Sequence, residues 1–232
     1  MQAIAVVVMR EVSVVYPGGV RALSEVNLTV GQGEMVVLVG PTGHGKSTLL
    51  KLIYREVLPS AGQVIVLGKD VARLPARRVP QLRRRLGIVF QDIRLLPRRT
   101  AAENVAFALR VAGLGEAETR QRARELLAQV GMEARAEAFP SQLSVGEQQK
   151  VAIARAMAGR PLLLLADEPT GDLDAASALE TAALLEKVNR EGATVLMATH
   201  NRQVAQRLSG RVISLENGRI LPEEIGQEEA SA

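Results

Sequence analysis

A nine-residue stretch combines glycines, a lysine and hydroxyl side chains at a spacing that suits a polyphosphate. Residues 40–48 read Gly-Pro-Thr-Gly-His-Gly-Lys-Ser-Thr and follow an apolar run at 35–39. Glycines let the backbone turn tightly and point its N–H groups at an anion, and a helix starting near Lys46 adds its positive end. In this pattern Lys46 reaches the β- and γ-phosphates and Ser47 offers its hydroxyl to Mg²⁺. The stretch predicts a nucleotide phosphate site, and a glycine turn without a ligand is the alternative.

All nine positions of this phosphate loop are candidate nucleotide contacts: Gly40, Pro41, Thr42, Gly43, His44, Gly45, Lys46, Ser47 and Thr48. His44 occupies a free position of the pattern. An uninvolved side chain that faces solvent is therefore the alternative to a ligand role for this histidine.

Two carboxylates and a histidine follow other apolar runs. Asp167 and Glu168 come directly after 162–166, an uninterrupted apolar run typical of a parallel strand buried on both faces. A carboxylate at such a strand end can hold the Mg²⁺ of a nucleotide, and Glu168, one residue further, can orient or deprotonate an attacking water. His200 follows the run 194–199 and could donate to the γ-phosphate or to that water. An acidic cap and a structural histidine are the competing interpretations.

A second anion site is possible at the start of another helix. Ser144 and Glu147 have the spacing of a capping box, which accounts for both residues structurally. The functional alternative is that this helix start binds phosphate. One nucleotide does not need two such sites in one chain. Two chains arranged head to tail would use both, with each nucleotide between one phosphate loop and the opposite helix start.

Composition limits the class of protein. The 232 residues are 47% hydrophobic, which suffices for one substantial domain, and the absence of cysteine excludes disulfides and thiolate chemistry. Two tyrosines, three phenylalanines and no tryptophan argue against single-stranded nucleic-acid binding by aromatic stacking. No basic region precedes the apolar start, which favours a first strand over a signal peptide. No run approaches the roughly 20 apolar residues that span a bilayer, so we expect any membrane attachment to use another chain.

Strands and helices alternate along the chain and must position these residues. Valine-rich patterns predict two antiparallel strands at 4–15 and 21–30, and further strands are predicted at 35–39, 62–68, 86–90, 162–166, 194–199, 211–215 and 218–221. Helices are predicted from 46, from 100, at 116–130, up to about 158 and at 175–189. The pattern predicts a parallel α/β core with its ligand at the carboxyl ends of the strands, and a helical block inserted at about 95–158.

Residues 73–99 contain nine arginines and a single acidic residue, Asp92. A solvated face and a docking surface for an acidic partner or anionic lipid headgroups are both open interpretations.

Together, and in this order, these motifs resemble the nucleotide-binding subunits of ATP-binding cassette (ABC) transporters over nearly the whole chain. The matching positions are Tyr16 for the adenine-stacking aromatic, 40–48 for the Walker A loop, Gln91 for the Q-loop, 143–147 for the signature loop, Asp167 and Glu168 for the Walker B pair, 172–174 for the D-loop and His200 for the switch histidine. The signature loop separates this family from other phosphate-loop NTPases. Val145 departs from the family, which usually has glycine there; this can loosen the closed dimer or change its rate.

The resemblance implies an ATPase that uses ATP and Mg²⁺ and closes as a homodimer on two ATP molecules. It implies catalytic roles for Glu168, His200, Gln91 and Lys46, a Mg²⁺ site at Ser47, Gln91 and Asp167, and nucleotide contacts from Tyr16, Ser144, Gly146 and Glu147. The implied fold is α/β, with a phosphate-loop (RecA-like) parallel-sheet core, an N-terminal antiparallel β subdomain and an inserted helical subdomain. One nucleotide-binding domain is expected over 1–222, with core segments at about 1–94 and 159–222 and the helical subdomain at about 95–158, before an acidic flexible tail at 223–232.

Residues 79–96 and 100–106 are most similar to the cell-division branch of the family. This implies an integral membrane partner, attachment to the cytoplasmic face of the membrane, a role in cell-wall hydrolysis and no nucleic-acid ligand. Residues 166–174 are shared with lipoprotein-release and macrolide-type exporters, whose ATPase is the alternative. A soluble ABC ATPase is a further alternative for the function of this chain.

Overall fold

The computed structural model describes residues 4–221. Its strands are β1 (Ala5–Val15), β2 (Arg21–Gly31), β3 (Met35–Val39), β4 (Ala61–Val66), β5 (Lys69–Asp70), β6 (Leu86–Val89), β7 (Leu163–Asp167), β8 (Thr194–Thr199), β9 (Arg211–Glu216) and β10 (Arg219–Ile220). Its α-helices are α1 (Lys46–Ile53), α2 (Val79–Arg83), α3 (Ala101–Val111), α4 (Glu116–Gln129), α5 (Val145–Met157), α6 (Ala175–Arg190) and α7 (Arg202–Gln206). The predicted acidic tail lies outside the described residues.

A six-stranded sheet forms the centre of the molecule, in the order β10-β9-β3-β8-β7-β6. The pairs from β9 to β6 are parallel, and β10 is antiparallel to β9. Strands β3 and β8 are buried at every position, as expected for parallel strands covered on both faces. The carboxyl ends of β3, β6, β7 and β8 therefore meet at one edge of the sheet, where ligands bind in open α/β folds.

A smaller antiparallel sheet, in the order β2-β1-β4-β5, packs against one face of this core. Its strands bury valine and leucine side chains such as Val7, Val12, Leu23 and Val30 in the same apolar cluster as Leu49 to Ile53 of α1. The antiparallel pairing of β1 with β2 confirms the pattern predicted for the N-terminal strands.

Helices α3, α4 and α5 lie consecutively between β6 and β7 and pack on one another and on the opposite face of the central sheet. Helix α3 begins with the predicted capping box, because Thr100 Oγ1 accepts from the Glu103 N–H and Glu103 accepts from the Thr100 N–H. Leu109, Leu126 and Ile153 are fully buried between the helices and the sheet. The predicted α/β fold with an inserted helical block is confirmed, while the domain limits at 94, 158 and 222 remain a prediction.

Between residues 4 and 221, the helices are all too short or too polar to cross a bilayer.

Candidate functional site

Strand β3 leads directly into the phosphate loop, and the loop runs into α1. Gly45 caps this helix in the left-handed conformation at a φ of 104°. A side chain at Gly40 would collide with the Leu215 carbonyl of β9, and one at Gly45 with the Ala22 carbonyl of β2. Glycine is therefore required at both positions because neighbouring backbone approaches the loop closely.

The ammonium group of Lys46 lies inside this loop with three oxygen partners. It donates to the Gly40 carbonyl at 2.7 Å and to the Pro41 carbonyl at 3.1 Å, and it forms an ion pair with Glu168 Oε1 at 3.1 Å. The lysine is 4% exposed and Glu168 is 9% exposed, so both charges are shielded from water. A buried charge needs such compensation. All three ammonium donors are used.

Glu168 connects the lysine to His200. The second carboxylate oxygen accepts from the His200 backbone N–H at 3.0 Å and lies 2.9 Å from His200 Nδ1. The Glu168 N–H in turn donates to the Ala198 carbonyl of β8 at 2.9 Å. Glu168 has a φ of 46°, a conformation that non-glycine residues adopt at a cost of about 1–3 kcal/mol and that concentrates at functional sites. Three strands thus bring a lysine, a glutamate and a histidine into one hydrogen-bonded row.

Ser47 and Asp167 form a second pair beside this row. The Ser47 hydroxyl donates to Asp167 Oδ1 at 2.9 Å. Burial raises the pKa of the Asp167 carboxyl above its usual value, the Ser47 hydrogen bond opposes this shift, and the nearby Glu168 charge adds to it. A carboxylate and a hydroxyl are hard oxygen donors, and Mg²⁺ characteristically binds one or two carboxylates together with substrate phosphates. The donor chemistry of this pair fits Mg²⁺.

A cavity of about 190 Å³ opens over the phosphate loop. Among the predicted site residues, those that line it are Thr42, Gly43, Gly45, Lys46, Ser47, Thr48, Gln91, Glu168 and His200, and Gly171 and Asp172 complete the wall. The structure therefore brings together most of the residues that the sequence predicted to act on one nucleotide.

Other predicted residues lie around the cavity or away from it. Tyr16 Oη lies 3.2 Å from Thr48 Oγ1, which sets this ring beside the loop. His44 lies in the loop, and its ring accepts a hydrogen bond from the Asn217 N–H.

Ser144, Gly146 and Glu147 are not part of the cavity wall. They form the start of α5, where the predicted capping box is present: Ser144 Oγ accepts from the Glu147 N–H at 3.2 Å and Glu147 accepts from the Ser144 N–H at 2.8 Å. Val145, the departure from the family pattern, is 46% exposed at this helix start. Ser144 and Glu147 thus satisfy each other's hydrogen-bonding groups, and the exposed start of α5 is accessible to another molecule.

Arg155 is not among the residues predicted from the sequence, although it joins helix α5 to the loop that follows Gln91. This side chain reaches from α5 to the loop after Gln91 and donates to the carbonyls of Ile93 at 2.8 Å and Arg94 at 2.5 Å. Burial lowers the pKa of its guanidinium. An arginine within a helix gives no sequence signal for such a role, because the loop carbonyls it reaches lie 61 and 62 residues away along the chain.

The family model for ABC transporters matches residues 23–171. The chain belongs to the ABC transporter family, and it is an ATPase of the ABC type that uses ATP with Mg²⁺ as cofactor. It is 46% identical over 216 residues to the cell division ATP-binding protein FtsE of Bacillus subtilis, covering 93% of this chain and 95% of that protein. It is 48% identical over 209 residues to FtsE of Escherichia coli, covering 90% and 94%.

Solved structures of the same family share this fold. A dimeric post-hydrolysis state of an ATP-binding cassette bound to ADP and Pi has a TM-score of 0.85 and 37% identity, covering 93% of this chain and 97% of that one. The CbiO1 protein of Clostridium perfringens, part of an ABC transporter complex, has a TM-score of 0.86 and 29% identity, covering 94% and 87%. The predicted ABC nucleotide-binding fold is confirmed.

Proposed function

We propose that this chain is the ATPase subunit of a membrane complex that acts in cell division, as an FtsE-type protein with an FtsX-like integral membrane partner. ATP-driven closure and opening of a homodimer would act on the partner at the cytoplasmic face of the membrane and regulate cell-wall hydrolysis. The observation that carries the ATPase chemistry is the row Lys46–Glu168–His200 at the carboxyl ends of the strands. The cell-division role is supported by relatives named FtsE that are 44–48% identical over most of the chain.

Each site residue has a proposed part in ATP binding. Tyr16 stacks on the adenine, while the N–H groups of the phosphate loop and Lys46 hold the phosphates. Ser47, Gln91 and Asp167 would hold Mg²⁺, which supplies charge compensation at the β- and γ-phosphates when it is bound. The Ser47–Asp167 hydrogen bond supports this assignment because it sets two hard oxygen donors side by side.

Glu168 is the proposed general base. Its Oε1 atom pairs with the Lys46 ammonium, and its Oε2 atom contacts the His200 ring. Phosphate oxygens compete with Glu168 for the same lysine ammonium, since that ammonium has only three donors. ATP binding would therefore free Glu168 Oε1 to accept a proton from an attacking water. His200 would keep the other oxygen in place and sense the γ-phosphate.

The start of α5 is proposed to complete the site of a second copy. Ser144, Gly146 and Glu147 lie outside the cavity of their own chain, and a helix N-terminus favours phosphate. A head-to-tail dimer would join this helix start to the partner's phosphate loop. We further propose that the domain has core segments at about 1–94 and 159–222 and a helical part at about 95–158. In this division the phosphate loop belongs to the core, and the start of α5 belongs to the helical part.

A groove of about 350 Å³ supports a docking site for the membrane partner. It lies between the central sheet and the helical block, and its wall includes Phe107 and Val111, which are 47% and 50% exposed. Arg83, Arg84 and Arg94 add positive charge to the same wall. An apolar floor with a basic rim suits an amphipathic segment that carries acidic residues.

Arginines close to the groove residues in sequence add further positive charge. Five exposed arginine side chains form no hydrogen bond or ion pair with the residues that the structure describes: Arg77, Arg78, Arg84, Arg85 and Arg98. They are available to a partner because no acid of the described chain neutralises them.

The experiment is capture of partners by tagged Glu168→Gln protein from its own membranes with Mg-ATP, followed by mass spectrometry. A membrane protein with few spans and a modest extracytoplasmic domain would support the proposal. A permease with a large periplasmic domain would move the function to lipoprotein or macrolide export, and recovery of soluble partners alone would overturn the membrane assignment.

A groove variant sharpens this test. Arg84→Glu in the same background should reduce partner recovery, whereas Arg124→Glu, an exposed arginine of α4, serves as the matched control. Equal recovery with both variants would count against the groove as the docking site.

A further inference from the structure

The side chain of His44 has no part in the proposed chemistry, and this residue connects the phosphate loop to the β9–β10 turn. Its Nδ1 accepts from the Asn217 N–H at 3.1 Å, and its backbone carbonyl accepts from the Gly218 N–H at 3.2 Å. The two bonds attach the middle of the loop to a different element of the fold.

The turn that holds His44 is itself firmly placed. Asn217 and Gly218 have φ values of 49° and 74°, and a side chain at Gly218 would lie 2.7 Å from the Ala22 carbonyl. The Gly218 carbonyl accepts from the Ser24 N–H of β2 at 2.8 Å. Because β2 also touches the loop at Gly45, the loop, the turn and β2 form one connected unit.

The donor in this contact defines the state of the ring. A backbone N–H can only donate, so Nδ1 must carry a lone pair and the proton of the neutral ring must be on Nε2. A doubly protonated imidazole has donors on both nitrogens and would face the Asn217 N–H with an N–H of its own. The contact therefore exists only with neutral His44.

We propose that His44 is a positioning residue for ATP: its ring nitrogen anchors the phosphate loop to the turn at 217–218 and so holds the loop N–H groups in place for phosphate. This inference rests on the proposed phosphate-binding role of residues 40–48. Loop N–H groups bind phosphate best when they are already held in place, because less ordering is then needed on binding.

Charged groups on the elements around His44 have partners of their own. Lys46 pairs with Glu168, Glu216 with Arg202 at 3.4 Å, and Arg219 with Glu25 at 3.3 Å. Arg21 at the start of β2 is exposed. None of these forms an ion pair with the His44 ring among the described residues.

The test compares wild type, His44→Ala and His44→Asn at pH 8 by the KM for ATP, kcat and the dissociation constant of a non-hydrolysable ATP analogue. His44→Ala should weaken binding about threefold to tenfold at pH 8, the range for one ordinary hydrogen bond, with a smaller effect on kcat. Asparagine places an acceptor oxygen near the position of Nδ1 and cannot be protonated. His44→Asn should restore most of the affinity that His44→Ala loses.

Equal affinity of wild type and His44→Ala, or no recovery of affinity in His44→Asn, would overturn the inference. Lys46→Ala is the reference and should lose at least about tenfold in affinity. If Lys46→Ala loses affinity and the His44 variants do not, only the anchor is wrong; if Lys46→Ala binds normally, the phosphate site itself is wrong.

Discussion

At the scale of single residues, the proposed site centres on one buried lysine and the carboxylate that pairs with it. Lys46 satisfies two loop carbonyls and Glu168, and Glu168 is also held by His200. A phosphate group that enters must displace one of these contacts. This exchange would link ATP binding to release of the proposed general base, without any movement of the strands that carry these residues.

Replacement of the base tests this arrangement. Glu168→Gln keeps the size of the side chain but removes the proton acceptor, so we expect ATP hydrolysis to slow by about 10²–10⁴-fold, the usual contribution of a positioned base. Steady-state phosphate release is the measurement. Glu118→Gln, an exposed glutamate of α4, is the control and should retain wild-type turnover. A Glu168→Gln rate within a few fold of wild type would remove this residue from the mechanism.

At the scale of elements, helix α5 and the loop after β6 are joined by Arg155. Ile93 and Arg94 have φ values of 54° and 53°, a conformation that is costly for a β-branched residue such as isoleucine. The guanidinium donates to both carbonyls, and Arg94 lies over the Phe90 ring at 4.4 Å. The strained turn next to Gln91 is thus fixed to helix α5, which Ser144 caps, and this gives the two ends of the proposed site a physical connection.

Arg155→Lys tests this connection. Lysine keeps the charge but lacks the planar fork that reaches two carbonyls. We expect a loss of about 1.5–3 kcal/mol in the free energy of unfolding, the value of a hydrogen bond with a charged group, and faster amide exchange over 91–96. Urea unfolding and hydrogen–deuterium exchange measure these effects.

Arg124→Lys, on the exposed surface of α4, is the matched control. Unchanged exchange over 91–96 in Arg155→Lys would show that the loop is held by other contacts.

At the scale of the whole molecule, the proposed nucleotide site extends over two copies of the chain. The capping residues are outside the cavity of their own chain, and related cassettes have been solved as dimers. A head-to-tail dimer would combine the phosphate loop of one copy with Ser144 of the other. Each nucleotide in such a dimer would be held by residues from both chains.

Complementation between two inactive variants tests the two-chain site. Lys46→Ala and Ser144→Arg should each be inactive as homodimers. In a mixed dimer the phosphate loop of the Ser144→Arg chain meets the unaltered Ser144 of the Lys46→Ala chain, so one intact site forms. Random pairing makes about half of the dimers mixed, and each mixed dimer has one active site out of two. We therefore expect the mixture to recover up to about a quarter of the wild-type ATPase rate per chain.

Two controls define the result. Each variant mixed with itself at the same total concentration gives the background, and light scattering with Mg-ATP reports dimer formation. A mixture that shows dimers but no activity above background would contradict the two-chain site.

Much of the fold was readable from local patterns. The buried strands β3 and β8 match their predicted limits at 35–39 and 194–199 because continuous apolar runs mark strands covered on both faces. The capping boxes at Thr100 and Ser144 marked two helix starts for the same local reason. The short elements α2, α7 and β5, of five, five and two residues, were not predicted. Elements this short have no resolvable periodicity, and their conformation depends on the core they pack against.

The sequence by itself determined which residues could serve a nucleotide, because glycine, lysine, serine and carboxylates at these spacings have little other use together. It also determined the strand and helix types, since the periodicity of apolar residues is a local property. Only the tertiary structure decided the strand order that places Lys46, Glu168 and His200 within hydrogen-bonding distance, the reach of Arg155 across 62 residues and the contact of His44 with Asn217. These contacts join segments far apart in the chain, and burial selects them only once the whole core has formed.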